Sequence, residues 1–224
     1  MRLNKQTYYL GGMMLTLEKE LINYIKNQLQ TNTDAAHNLG HLKRVARMCE
    51  KIQKQEGGNV DVLLVSSYFH DIVSLPKNSP VRHCSSQLAA KKTLQILQSD
   101  FPFFPVDLYS AVEEAIICHS YSANISPKSI EAKILQDADR IDALGAVGLA
   151  RIFYISGKLD QELFDLDDPF ANNRDLDDKK YALDHFYTKL FKLTKKMNTA
   201  EGKRIAEKRT AVLLNYINNL AEEI

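Results

Sequence analysis

Apolar residues recur at helical spacing almost from one end of this chain to the other. Leu15, Leu17, Leu21, Ile22, Ile25 and Leu29 mark one face of a helix over about 15–30. Leu42, Val45, Ala46, Cys49 and Ile52 mark a second, which "EGGN" at Glu56–Asn59 stops. The same spacing predicts helices over about 60–70, 82–98, 106–119, 128–136, 139–156, 178–198 and 200–222. No segment sustains the two-residue alternation of a half-buried strand, so no sheet is expected.

The connections carry the punctuation that such a reading needs. "TNTDAAHN" offers Thr33 or Asp34 as an N-cap, and "VSLPKNSP" reads as a loop. "DFPFFP" at 100–105 is a rigid connector, and Pro127 suits the first turn of the helix after it. Residues 157–177 are rich in Asp and Asn and have little periodicity, so they read as a long loop or a lid. There is no internal repeat and no low-complexity linker. The expectation is one all-α helical bundle over 1–224, a length ample for a real core.

The totals remove several function classes. A net charge of +1 creates no global field toward nucleic acid or a membrane surface. The basic set Lys195, Lys196, Lys203, Arg204, Lys208 and Arg209 reads as a solvated helix face balanced by Glu201 and Glu207, so nucleic acid is not an expected partner. "YYLGGMMLTL" runs into Glu18 and Glu20 without a cleavage site, and no stretch approaches the length of a membrane span. Three cysteines (Cys49, Cys84, Cys118) without a CxxC pattern suit a reducing compartment, and a cytoplasmic location is expected. All three lie among apolar residues and read as small buried hydrophobes. Cys118 and His119 are neighbours on a helix and point apart, which disfavours a nucleophile pair.

A smaller set of polar residues does not fit a plain bundle. His70 and Asp71 end the apolar segment that begins at Val60. Buried and idle they are costly, so they are either a capping pair or metal ligands. His37 and His41 are four apart and share a helix face if the helix starts by 37. "QDADRIDALG" sets Asp137, Asp139 and Asp142 beside Arg140 inside an apolar frame. Three carboxylates that close together call for a cation or basic partners. Imidazole nitrogen with carboxylate oxygen suits a divalent transition metal, and no HExxH is present.

The order His41, His70-Asp71, Asp139 resembles the HD-domain superfamily of metal-dependent phosphohydrolases. "HNLGHLKRV", "YFHDIVSLPKNSP", "ICHSYSA" and "QDADRIDALGAVGLAR", over about 37–151, resemble the soluble bacterial HD hydrolases, one branch of which cleaves nucleoside triphosphates to monophosphate and pyrophosphate. "MNTAEGKRIAEKR" near the C-terminus fits the same group. The resemblance implies an HD-type helical bundle with one divalent metal (Mn, Fe, Co, Ni, Mg or Zn) held by His41, His70, Asp71 and Asp139. The implied reaction is attack of a metal-held water on the phosphorus of an ester or anhydride, with a nucleotide as the expected substrate. Two alternatives stand beside it: a cyclic-nucleotide or signalling phosphodiesterase, and a non-catalytic nucleotide or metal sensor. A homodimer is left open.

Within that scheme Asp71 also orients the water or accepts its proton. His119 binds phosphate or shuttles a proton, or is a hydrogen-bonded core histidine. Arg44, Lys77, Arg82 and Arg140 are candidate phosphate clamps, each with the competing reading of a solvated surface charge. His37 is a surface or capping histidine just before the helix, or it supports the ligands from behind or faces the substrate. Asp137 is an N-cap of the following helix or a supporting partner, and Asp142 the latter or a salt bridge to an arginine. His83 and His185 are read as structural.

Overall fold

The computed structural model describes residues 7–10, 13–29, 39–75, 79–121 and 123–224, with backbone alone at 7–10, 13–16 and 29. His37, Lys77, Thr33 and Asp34 lie outside the described residues. The chain divides into two compact units, Met1–Ala138 and Asp139–Ile224. The class is all-α, as the periodicity indicates, with one correction. β1 (Thr7–Leu10) pairs antiparallel with β2 (Met13–Thr16), Thr7 opposite Thr16 and Leu10 opposite Met13. The two four-residue runs flank Gly11-Gly12, a sequence signal for a hairpin connection. Leu15 therefore belongs to a strand, and the first helix begins two residues later.

In the first unit, α1 (Leu17–Leu29), α2 (Leu39–Glu56), α3 (Val60–Phe69), α4 (Ser85–Asp100) and α5 (Tyr109–His119) share one core. Leu17, Leu21 and Ile25 supply α1's fully buried stripe, and Val62, Val65, Tyr68 and Phe69 pack from α3. Tyr68 donates its hydroxyl to Glu18 at 2.8 Å, which ties α3 to the start of α1. Gly57, at φ +81°, closes α2 where "EGGN" was expected to do so, and its N–H donates to the Gln53 carbonyl. Asn59 then caps α3, its side chain accepting from the N–H groups of Asp61 and Val62. Tyr24, Phe69 and Phe101 meet edge to face, with centroids 5.7–6.1 Å apart. This aromatic cluster fixes the end of α3, on which the His70-Asp71 pair follows.

The sixth helix departs from expectation. A break at 137–138 was expected, but α6 runs unbroken from Ile130 to Asp142, and α7 spans Gly145–Lys158. Asp137 is thus inside a helix and is not an N-cap. Glycine explains where the break falls. Gly145 has φ +74°, a left-handed conformation that side chains resist, and a Cβ there would press on Arg209. A Cβ on Gly148 would overlap the Ala143 carbonyl oxygen. The chain can fold back tightly at "ALGAVG" and not at "QDAD".

In the second unit α7 packs against the last helix, α9 (Ala200–Glu223), which Thr199 caps by accepting from the Gly202 N–H. The expected helix over 178–198 is shorter and irregular: a π-helical stretch at Phe186–Leu190, one α turn labelled α8 (Phe191–Leu193) and a 3-10 turn at Thr194–Lys196. Phe186 sits against Phe153, Phe191 and Tyr216 and is fully buried. The loop expected over 157–177 begins only after Lys158, where α7 ends, and it is braced. Arg174 grips both carboxylate oxygens of Asp184 (2.6 and 2.9 Å), and Asp184 also accepts from the Asp177 N–H. Asp165 accepts from two backbone N–H groups and from the Tyr181 hydroxyl.

Candidate metal centre

Three helix ends bring the histidines together. His41 stands in the first turn of α2, His70 caps α3, and His119 is the last residue of α5. All three are buried, at 3, 0 and 5 % exposure. His70 remains helical (φ −55°, ψ −34°) and its N–H donates to the Ser66 carbonyl, so Asp71 is carried just past the helix end.

The donor atoms converge. His41 Nε2 lies 3.2 Å from His70 Nε2. Asp71 Oδ2 is 3.4 Å from His70 Nε2 and 3.8 Å from His41 Nε2. These three residues offer ligand atoms that all lie within 4.8 Å of one another. The Nδ1–H of His70 donates to the Ser67 carbonyl at 2.9 Å. That leaves Nε2 as the atom that carries the exchangeable proton or takes a metal, the usual way a ligating histidine is oriented. A ring of two imidazole nitrogens and a carboxylate oxygen that face one another has no mutual donor to spare unless a cation or protons sit among them. The donor set therefore fits a divalent transition metal.

Asp71 also faces a third histidine. Its Oδ1 lies 3.4 Å from His119 Nε2, while His119 Nδ1 donates to the Ile116 carbonyl at 2.6 Å. His119 is thus locked by its own helix as His70 is, each through the carbonyl three residues back. Burial pushes the Asp71 carboxyl up, but the charge of His70 and the hydrogen bonds of His119 and His70 outweigh it and hold the group well below the usual carboxylate range. A carboxylate is also the form a metal ligand requires.

The other expected site residues divide. Asp139 is half-buried on α6, and Asp137, two residues before it, is fully buried. Asp142 accepts from Arg151 at 2.7 Å and is buried. Arg140 donates to the Lys196 carbonyl at 2.6 Å. Arg82 donates to the Leu75 carbonyl at 2.8 Å and so ties down the loop that follows the His-Asp pair. Arg44 is half-buried on α2. His185 pairs with Asp178 at 2.9 Å, which suits its structural reading. A cavity of about 360 Å³, lined by Leu17, Arg47, Cys49, Gln53 and Leu63 among others, lies elsewhere. At 100° per residue its α2 lining, centred on Ala46, Glu50 and Gln53, is opposite the His41 face.

Sequence reasoning did not foresee Gln136. It is buried on α6, and its side-chain NH2 reaches the carbonyls of Cys118 (2.5 Å) and Ile125 (3.3 Å). On its own helix face Gln136 has Lys133, Asp139 and Arg140 as neighbours, so the sequence carries no sign that it is buried.

Residues 38–144 match the model of the HD domain, and that span holds the whole cluster. Over this segment the chain resembles HD-superfamily proteins. HD domains bind divalent metals, in keeping with the donor set. Solved structures similar along most of the chain include an HD-superfamily hydrolase of Bacillus thuringiensis, 28% identical, with a TM-score of 0.70 over 92% of this chain and 95% of that one. The Bacillus subtilis protein YpgQ, crystallised in complex with ADP, is 28% identical, with a TM-score of 0.67 over 92% and 96%. YpgQ of Bacillus subtilis strain 168 is also a curated relative, described as uncharacterised, 27% identical over 213 residues that cover 92% of this chain and 94% of that one. The match to the HD domain and the described relatives support a metal-dependent hydrolase.

Proposed function

We propose that this protein hydrolyses a phosphate ester or anhydride, with a nucleotide as substrate. The observation that carries the reading is the buried His41–His70–Asp71 cluster inside the segment that matches the HD domain. The nucleotide class is supported by the ADP complex of YpgQ, which matches along 92% of this chain. His41, His70 and Asp71 would hold the metal, and Asp139 is proposed as the fourth ligand on the order of the motifs. A divalent metal bound there supplies Lewis-acid polarisation of a phosphoryl oxygen and makes a nearby water more acidic.

The remaining chemistry belongs to side chains. Asp71 presents Oδ2 to His41 and His70, which leaves Oδ1 to orient a water or receive its proton. His119 Nε2, 3.4 Å from that oxygen, is placed to exchange a proton with it, because Nδ1 is already committed to the Ile116 carbonyl. Arg44, Lys77, Arg82 and Arg140 are the proposed holders of the anionic phosphates.

The test is an assay of the purified protein with Mn, Mg, Co or Ni against a panel of nucleoside mono-, di- and triphosphates, cyclic nucleotides and simple phosphoesters, with products identified. Turnover of nucleotides to phosphate or pyrophosphate is expected. Turnover of cyclic substrates alone gives a phosphodiesterase instead, and no turnover with any metal gives a binding protein.

A further inference from the structure

We propose that Gln136 is a positioning residue that sets His119 against Asp71; this rests on the proton-carrying role given to His119 above. Helix α5 ends at His119, and Ser120 is already extended (φ −66°, ψ 127°). A helix end leaves its last carbonyls without intrahelical donors, and here no glycine follows to close the turn. Two side chains supply the donors. His119 Nδ1 takes the Ile116 carbonyl, and Gln136 Nε2 takes the Cys118 carbonyl at 2.5 Å. The second hydrogen of the same NH2 points to the Ile125 carbonyl at 3.3 Å. Both acceptors are carbonyl oxygens, so only the NH2 end of the amide can face them.

Gln136 is 2 % exposed, so its two hydrogen bonds have little competition from water. It reaches from α6 to the peptide immediately before His119 and to the loop after it. Glu114 holds the far end of that loop, accepting from the N–H groups of Lys128 and Ser129. The turn that bears His119 is therefore closed by α6 rather than by its own sequence. Without the Gln136 amide, the Cys118 carbonyl loses its donor, the last turn of α5 frays, and the imidazole loses the fixed backbone that aims Nε2 at Asp71.

The experiment compares Gln136→Met, His119→Ala and the double variant, all Mg-loaded. Long-range proton–nitrogen spectra of the wild type should show slowly exchanging imidazole Nδ1–H signals from the buried His70 and His119, beside that of the part-exposed His185. Gln136→Met should lose the His119 signal and keep that of His70, the internal control. Metal stoichiometry should be unchanged, kcat should fall about tenfold or more with KM little altered, and the double variant should be no slower than His119→Ala. A retained His119 signal in folded Gln136→Met, or multiplicative effects on kcat, would overturn the proposal. Full activity in His119→Ala removes the role given to His119, while the spectra still decide whether Gln136 sets the ring. If Gln136→Met does not fold, Gln136→Asn, which draws the amide back by one methylene, is read by the same signals.

Discussion

The Nε2 atom of His70 lies 3.2 Å from that of His41, although 29 residues separate the two in the chain. That contact exists because α2 begins where α3 ends, and both histidines stand at those ends. Asp71, just beyond His70, turns Oδ2 toward the same point. If this is a metal centre, Asp71→Ala leaves the helical circular dichroism unchanged and reduces bound metal, measured by elemental analysis, from about one ion per chain to none. A variant that keeps its metal would show that the cluster is not the site.

The fourth ligand has a sharper comparison. Asp137 and Asp139 lie on one helix, two residues apart, and so point about 200° apart. Asp139→Asn should weaken metal affinity by tenfold or more, as read by calorimetric titration, and Asp137→Asn by less. The reverse order would assign the ligand to Asp137.

Much of this arrangement is legible in the sequence. Spacing alone locates α1 to α5 and α9 to within a few residues, and it places His70-Asp71 at the end of an apolar helix. The misplacements have separate causes. The α6–α7 break falls where Gly145 takes a positive φ and where a side chain on Gly145 or Gly148 would collide with Arg209 or Ala143, which periodicity does not register. Asp137 looked like a cap because caps are local, yet a helix passes straight through it. The hairpin at 7–16 was missed because four residues are too few to establish an alternation. Gln136 was invisible because its partners are carbonyls 18 and 11 residues away. The braces of the 157–177 loop likewise join residues whose types suggest only solvent-facing polarity.

That loop gives a stability prediction. Asp184 is buried, and Arg174 meets both its oxygens. Arg174→Lys keeps the charge but cannot reproduce the two-pronged contact. Arg174→Ala leaves the buried carboxylate without its cation. We expect Arg174→Ala to cost about 3 kcal/mol, a fall in Tm of about 8 °C, and Arg174→Lys to cost about half as much. Thermal unfolding followed by circular dichroism measures both, and equal values for wild type and Arg174→Ala would mean that the brace contributes nothing to the fold.

Asp178 gives a pH dependence. Burial pushes its carboxyl up, but hydrogen bonds from His185 and Thr188 and the charges of His185 and Lys189 prevail, so it sits below the ordinary value of 3.8. A carboxyl whose pKa is lower in the folded chain than in the unfolded one binds fewer protons when folded. Its contribution is complete above the unfolded value and is lost as pH falls through the folded one. Wild-type Tm should therefore drop between about pH 5 and pH 3, in part through this group. Asp178→Asn cannot titrate at that position, and its Tm should start lower at pH 6 and fall less steeply on acidification. Parallel curves for the two proteins would remove Asp178 from the acid response and leave it to other carboxylates.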